Sequence, residues 1–204
     1  MFSPHRRPSA RARAAALASL VLLAVPVLSG CATSDSLAQQ ARAGDEKNYI
    51  AGDGSVREYA AESRGEPVAF SSTLFDGKTV DAASFQGKVT VLNFWYAGCA
   101  PCRVEAKDLQ ALHTQFKGAD TQFYGVNVRD EEPTAAAFER TFGTTYPSFE
   151  DRNGTVLLAM TRYVPPQSVP TTIVLDKQGR VSARILGTAE KGTLKSLIEA
   201  AQQS

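Results

Sequence analysis

Cysteine is scarce in this 204-residue chain, with three residues in all. A miniprotein stapled by several disulfides is thereby excluded, since every bridge consumes two. Histidine is scarcer, with only His5 and His113. A structural zinc site needs about four ligands, so no metal is expected. Haem attachment through C-x-x-C-H is excluded as well, because Arg103 follows the one C-x-x-C. The chain also lacks an excess of either charge: lysine plus arginine number 22 against 21 acidic residues. No basic cluster stands outside the N-terminus, so nucleic acid is not an expected partner. No internal repeat appears, and the length suits one domain with extensions.

What is present begins with an export signal. Arg6, Arg7, Arg11 and Arg13 precede an apolar run over residues 14–27. That run has the length of a signal-peptide core and falls short of the roughly twenty residues of a spanning helix. Arg6-Arg7 lacks the following residues of a twin-arginine signal, which favours general secretion. Leu28-Ser29-Gly30-Cys31 resembles a bacterial lipobox. The resemblance implies that residues 1–30 are removed and that Cys31 becomes a lipidated N-terminus, anchoring an extracytoplasmic protein to the membrane. An ordinary secretory signal with an incidental cysteine is the alternative. Residues 31–65 are rich in Ala, Ser, Gln, Gly and charge, without apolar periodicity, and read as a flexible tether.

From residue 66 the pattern becomes that of an α/β domain. Pro67-Val68-Ala69-Phe70 and Thr79-Val80 flank Asp76-Gly77, which predicts a hairpin. Val89 to Phe94 is an apolar run typical of a buried central strand. Val104, Leu109, Leu112 and Phe116 recur at helical spacing, and residues 122–128 form a second buried strand. A helix is predicted from Glu132 to Phe142, then a further segment over 155–163. The rigid loop Pro165-Pro166-Gln167-Ser168-Val169-Pro170 leads into a strand over 171–176, a turn, and a partner strand over 181–186. Residues 191–202 close as an amphipathic helix, with Leu194, Leu197 and Ile198 inward.

The chemistry centres on Cys99-Ala100-Pro101-Cys102, at the junction between the central strand and its helix. Pro101 suits a first helical turn, where its missing N–H is not needed. The unpaired N–H groups there, with the positive end of the helix dipole, favour a thiolate at Cys99. A two-residue loop gains little entropy from closure, so a purely structural disulfide is the weaker explanation and redox exchange the stronger.

The run F-W-x-x-x-C-x-P-C-R-x-E, from Phe94 to Glu105, resembles thioredoxins and above all the TlpA/ResA-like thiol-disulfide oxidoreductases. The likeness covers about residues 66–204. It implies a thioredoxin-like fold: a central mixed sheet flanked by helices, an N-terminal β-hairpin and an inserted helix. It further implies an exchanging disulfide between Cys99, the exposed attacker, and Cys102, which resolves the mixed disulfide. Pro170 would be cis and lie against the pair, leaving the Val169 backbone free to bond an extended client segment. Trp95 would pack beside the site. Thioredoxins carry a buried aspartate where this chain has Asn93. TlpA/ResA-like proteins instead have a glutamate at the position of Glu105, which would exchange a proton with Cys102; a solvated glutamate at the helix start is the alternative. Gly98 and Lys107 depart from the family's tryptophan and proline. His113 reads as a solvated surface residue.

Without a cation between the cysteines, the thiolate gains no extra stabilisation, which predicts a reducing protein nearer roughly −270 mV than the roughly −120 mV of a strong oxidant. The resemblance then implies a CcdA/DsbD-type membrane thiol carrier as electron donor and client disulfides, such as those of apocytochrome c, as substrates. No cofactor is expected. Two other readings remain open. One is a peroxiredoxin-like peroxide reductase, although Tyr96 occupies the place of its threonine. The other is a non-enzymatic thioredoxin-fold binding module.

Overall fold

Residues 52–165 and 167–204 are described by the computed structural model. The expected signal, the lipidation site Cys31 and the first part of the expected tether lie outside the described residues. Among the described residues no helix is long and apolar enough to cross a membrane.

The organising strand is β4, Val89–Trp95, in which every side chain is buried. It needs apolar residues at consecutive positions because both of its faces are covered, as in buried parallel strands. Leu92 and Phe94 belong to one core cluster, with Phe85, Phe149 and Ile173. Val89 and Val91 belong to the other, with Leu109, Leu112, Leu194 and Ile198. The period of two along a strand thus divides a single apolar run between two cores.

β4 leads into α1 (Ala100–Gln115), which returns to β5 (Thr121–Asn127), parallel to β4. α2 (Glu132–Phe142) follows, then β6 (Ser148–Glu150), parallel to β5, and the short α3 (Thr155–Ala159). On the other side of β4 run the antiparallel strands β7 (Thr171–Leu175) and β8 (Val181–Leu186). α4 (Lys191–Gln202) closes the chain, its first turn capped by the Glu190 carboxylate through the N–H groups of Gly192 and Thr193. The hairpin β2 (Ser71–Thr73) and β3 (Thr79–Asp81) stands apart from this sheet. Its turn uses Asp76, which accepts from the Lys78 N–H at 3.0 Å, and Gly77 at φ +82°. Phe70, just before β2, packs edge-on against Phe85 and Phe149, and Leu74 bridges to Phe149.

With β1 (Val56–Glu58) at one edge, the strand order β1-β8-β7-β4-β5-β6 is a mixed sheet with flanking helices, a hairpin and an inserted helix. That is the thioredoxin-like architecture the sequence implied. Three local differences have physical reasons. β1 (Val56–Glu58) lies inside the stretch expected to be tether and pairs antiparallel with β8. Its three side chains are exposed, so main-chain bonding alone makes it a strand. β6 is equally short, and no strand was expected there. The first hairpin strand falls at Ser71–Thr73 rather than 67–70, because the turn at Asp76-Gly77 sets the register. His113 also differs: it is half-buried, edge-on to Phe123 and Tyr146, and burial lowers its pKa.

Candidate active site

Cys99 is the N-cap of α1, and its sulfur accepts from the Cys102 N–H at 3.2 Å. Pro101 lies in the first turn, where no donor is lost. The two sulfurs are joined as a disulfide, with Cα atoms 5.3 Å apart. The preceding loop is pinned from β5 and the turn after it: the Ala97 N–H donates to Asp130 Oδ2 at 2.6 Å, and Asn127 Nδ2 donates to the same oxygen at 2.9 Å. The Arg129 guanidinium lies 4.1 Å from the centre of the Tyr96 ring. Sequence reading did not single out Asn127 or Asp130. Their only signal was a polar pair at the end of a strand.

Arg103 follows Cys102 and reaches back to the loop before the pair. Its guanidinium stacks over Phe142 at 5.4 Å and reaches the Ala97 carbonyl at 3.4 Å. Exposure of Cys99 is a correction to the sequence-based expectation. Cys99 is 0 % and Cys102 2 % exposed. In the disulfide form the sulfur of Cys99 bonds inward to Cys102, and both belong to an apolar cluster that includes Tyr96, Val164 and Val169. A thiolate that comes to reopen this bridge therefore requires the cover to shift.

Glu105 lies one turn below the pair and is 1 % exposed, so it is not a solvated helix-start residue. Oε1 accepts from Asn93 Nδ2 at 2.7 Å, and Oε2 accepts from the Ala189 N–H at 2.6 Å. Burial pushes its pKa up to about 8, against the lowering effect of those two donors. Asn93 also donates to Thr172 Oγ1 at 3.1 Å. An amide at this position, unlike a carboxylate, adds no second charge and can donate or accept by turning over.

Trp95 stacks on Phe138 with ring centres 4.4 Å apart. It fits over β5 because residue 125 is glycine: a Cβ there would sit 2.6 Å from the indole nitrogen. The Val169–Pro170 bond is cis, and the Pro170 carbonyl accepts from the Gly187 N–H at 2.8 Å. A second correction falls on Val169. Its N–H already donates to the Gln167 carbonyl at 3.1 Å, and its side chain is buried. The turn before Pro170 folds back on itself, so an incoming strand must displace that bond or use other groups. The cluster around the disulfide thus gathers Cys99, Cys102, Trp95 and Val169, with Glu105 held beneath by Asn93. Among the described residues no group of His, Cys, Asp and Glu is arranged to hold a metal ion.

A dithiol that closes to a disulfide at a helix N-terminus stores and releases two electrons. Known proteins place this arrangement. Residues 65–184 match the AhpC/TSA family profile. The chain belongs to the AhpC/TSA family. Thiol-disulfide oxidoreductase ResA of Geobacillus thermodenitrificans is 32% identical over 124 residues, spanning 61% of this chain and 69% of the relative. The ResA of Geobacillus kaustophilus is 33% identical over 130 residues, 64% and 72% of the two chains. Among solved structures, a secreted thiol-disulfide isomerase from Corynebacterium glutamicum aligns with a TM-score of 0.69 at 30% identity, over 74% of this chain and 95% of that one. A DsbF homologue from Corynebacterium diphtheriae aligns at 0.62 and 33% identity, over 73% and 94%. With the closed C-x-x-C pair, these likenesses make the protein a thiol-disulfide oxidoreductase whose clients carry disulfides.

Proposed function

We propose that this protein is an extracytoplasmic reductase of client disulfides, tethered to the membrane through a lipidated Cys31. The observation that carries the reading is the Cys99–Cys102 bridge at the N-cap of α1. In the reduced protein the Cys99 thiolate attacks one sulfur of a client disulfide, and the other client sulfur leaves as a thiolate. Cys102, once deprotonated, attacks Cys99, and the first client sulfur leaves. Two electrons pass to the client and the Cys99–Cys102 bridge remains. A membrane thiol carrier of CcdA/DsbD type resets the dithiol. Apocytochrome c, whose haem-site cysteines must be reduced, is the client class this reading favours.

In this reading Glu105 exchanges a proton with Cys102, and Trp95, Val169 and the cis Pro170 shape the client surface. The leader supports export, and one solved relative is described as secreted. The test is insulin reduction by the full chain: wild type turns over, Cys99→Ser does not, and Cys102→Ser traps clients as mixed disulfides. Activity retained in Cys99→Ser would remove the enzyme and leave a binding module. Peroxide turnover by Cys99 alone would instead make it a peroxide reductase.

A further inference from the structure

Residues 52–54, just ahead of β1, lie backbone to backbone on Leu186 and Gly187 at the end of β8. A Cβ on Gly52 would stand 2.6 Å from the Leu186 carbonyl oxygen and closer still to the Gly187 nitrogen. A Cβ on Gly187 would meet the Gly52 carbonyl oxygen at 2.8 Å and the Gly54 nitrogen at 3.0 Å. Gly187 also sits at φ +94°, where an L side chain is strained. Glycine on both sides is what allows this approach. Two main-chain bonds fix the crossing: the Gly54 N–H donates to the Leu186 carbonyl at 2.7 Å, and the Leu186 N–H donates to the Ser55 carbonyl at 3.0 Å. Asp53 holds the bend, its Oδ1 accepting from the Ser55 N–H at 2.9 Å.

The turn held in this way carries two donors that reach the site. The Gly187 N–H donates to the Pro170 carbonyl at 2.8 Å. Two residues on, the Ala189 N–H donates to Glu105 Oε2 at 2.6 Å. At its far end the turn runs into Glu190, the N-cap of α4. At its near end it is held by residues 52–54. Hydrogen bonds weaken steeply with misalignment, so a displacement of this turn is felt at Pro170 and at Glu105 together.

We infer that residues 52–54 are a positioning element of the active site: by clamping the 187–189 turn they set Pro170 for the client and Glu105 for Cys102. This rests on the exchange reading proposed above, in which Pro170 shapes the client surface and Glu105 exchanges a proton with Cys102. The element touches neither client nor sulfur, and acts only through the two N–H donors of the turn. The chain that leads in from Cys31 therefore joins the domain at the support of Pro170, and this segment belongs to the working part of the protein as well as to its tether.

Two variants of the full chain test this. Gly52→Ala forces the crossing backbones apart, whereas Asp53→Ala introduces no collision and only loosens the bend. Each is assayed with insulin, whose chain must lie on the client surface, and with hydroxyethyl disulfide, which has no peptide chain. The insulin KM rises about fivefold in Gly52→Ala and about twofold in Asp53→Ala, as for a weakened hydrogen bond. Attack of Cys99 on hydroxyethyl disulfide keeps the wild-type rate. The second readout is the pH profile for closure of a glutathione mixed disulfide by Cys102. An N–H donor favours the charged form of a carboxyl, so displacing the Ala189 donor moves the midpoint to higher pH. An insulin KM or a pH midpoint unchanged in Gly52→Ala, or in Asp53→Ala where Gly52→Ala does not fold, overturns the inference and leaves the exchange function intact. Equal slowing with both disulfides overturns it as well, since the thiol itself is then altered. A wild type that does not reduce hydroxyethyl disulfide overturns the exchange function, and the inference with it.

Discussion

Asn93 Nδ2 donates to Glu105 Oε1 at 2.7 Å, tying the middle of β4 to α1 directly below the disulfide. Because the strand residue is an amide, the buried polar cluster beneath the sulfurs carries at most one charge. A carboxylate at 93 beside the one at 105 would repel it and keep one of them protonated. The ionisable group stands on the helix and not on the strand, and its protonation is set by burial against two hydrogen-bond donors.

Glu105 makes the stability of the fold depend on pH. Folding raises its carboxyl from 4.5 to about 8. Below pH 4.5 both folded and unfolded chains are neutral there, and this stabilising contribution is fully present. Between 4.5 and 8 the unfolded chain gives up its proton while the folded one keeps it, so stability falls as pH rises. At about 1.4 kcal/mol per unit, the loss amounts to a few kcal/mol. Glu105→Gln removes it. Denaturant unfolding at pH 5 and pH 8 should show the variant gaining on wild type by a few kcal/mol over that interval, and a pH-independent difference would show that the buried carboxyl is not held neutral.

The reduction potential is the second measurement. Arg103 is engaged with Phe142 and the Ala97 carbonyl, and the two residues between the cysteines carry no charge. The helix N-terminus is then the stabilising element built into the C-x-x-C turn itself. Equilibration with glutathione should give a value near roughly −270 mV, and one more oxidising than about −180 mV would reverse the expected direction of electron flow.

The elements that position the site were readable because their signals are local and strong. β4 is a long apolar run, α4 repeats its apolar residues at helical spacing, and Pro101 marks the start of α1. β1 and β6 were not readable. Val56-Arg57-Glu58 has no buried face, and Ser148-Phe149-Glu150 is three residues long, so only the neighbouring strand makes either one β. The place of Glu105 came from family likeness, since nothing in its own neighbourhood distinguishes a buried glutamate from a solvated one. The burial of Cys99 depends on residues distant in sequence, such as Val164 and Val169, that share its cluster, and no spacing encodes that. The bond from the Val169 N–H to Gln167 is local, but no residue type in that loop signals it.

Gly125→Ala tests the seat of the tryptophan. Gly125 is the register partner of Asn93 on β5, and a Cβ there would meet Trp95 Nε1 at 2.6 Å, with Ser148 Oγ also in its way. The indole cannot retreat freely, since Phe138 stacks on it. Overpacking of this kind costs about 1–3 kcal/mol. Trp95 is the only tryptophan, so its fluorescence reports the site directly. A lower midpoint of unfolding together with a changed emission spectrum is expected, and an unchanged spectrum would show that the indole is not confined there.

Asp176 should outweigh each of its partners. Its side chain is fully buried and accepts from Arg64 Nη1 and Arg180 Nε, both at 2.9 Å, and from the N–H groups of Gln178 and Arg180. Arg64 also donates to the Tyr59 carbonyl at 3.0 Å, which stitches the segment after β1 to the β7–β8 turn. Arg64→Ala leaves Asp176 paired with Arg180 and should cost about 2 kcal/mol, the loss of a charged hydrogen bond. Asp176→Ala removes the acceptor that two guanidinium groups and two turn N–H groups share, for about 3–5 kcal/mol. Urea unfolding of the two variants under one buffer gives the order, and an Arg64→Ala loss equal to or larger than that of Asp176→Ala would show that the carboxylate is not the hub.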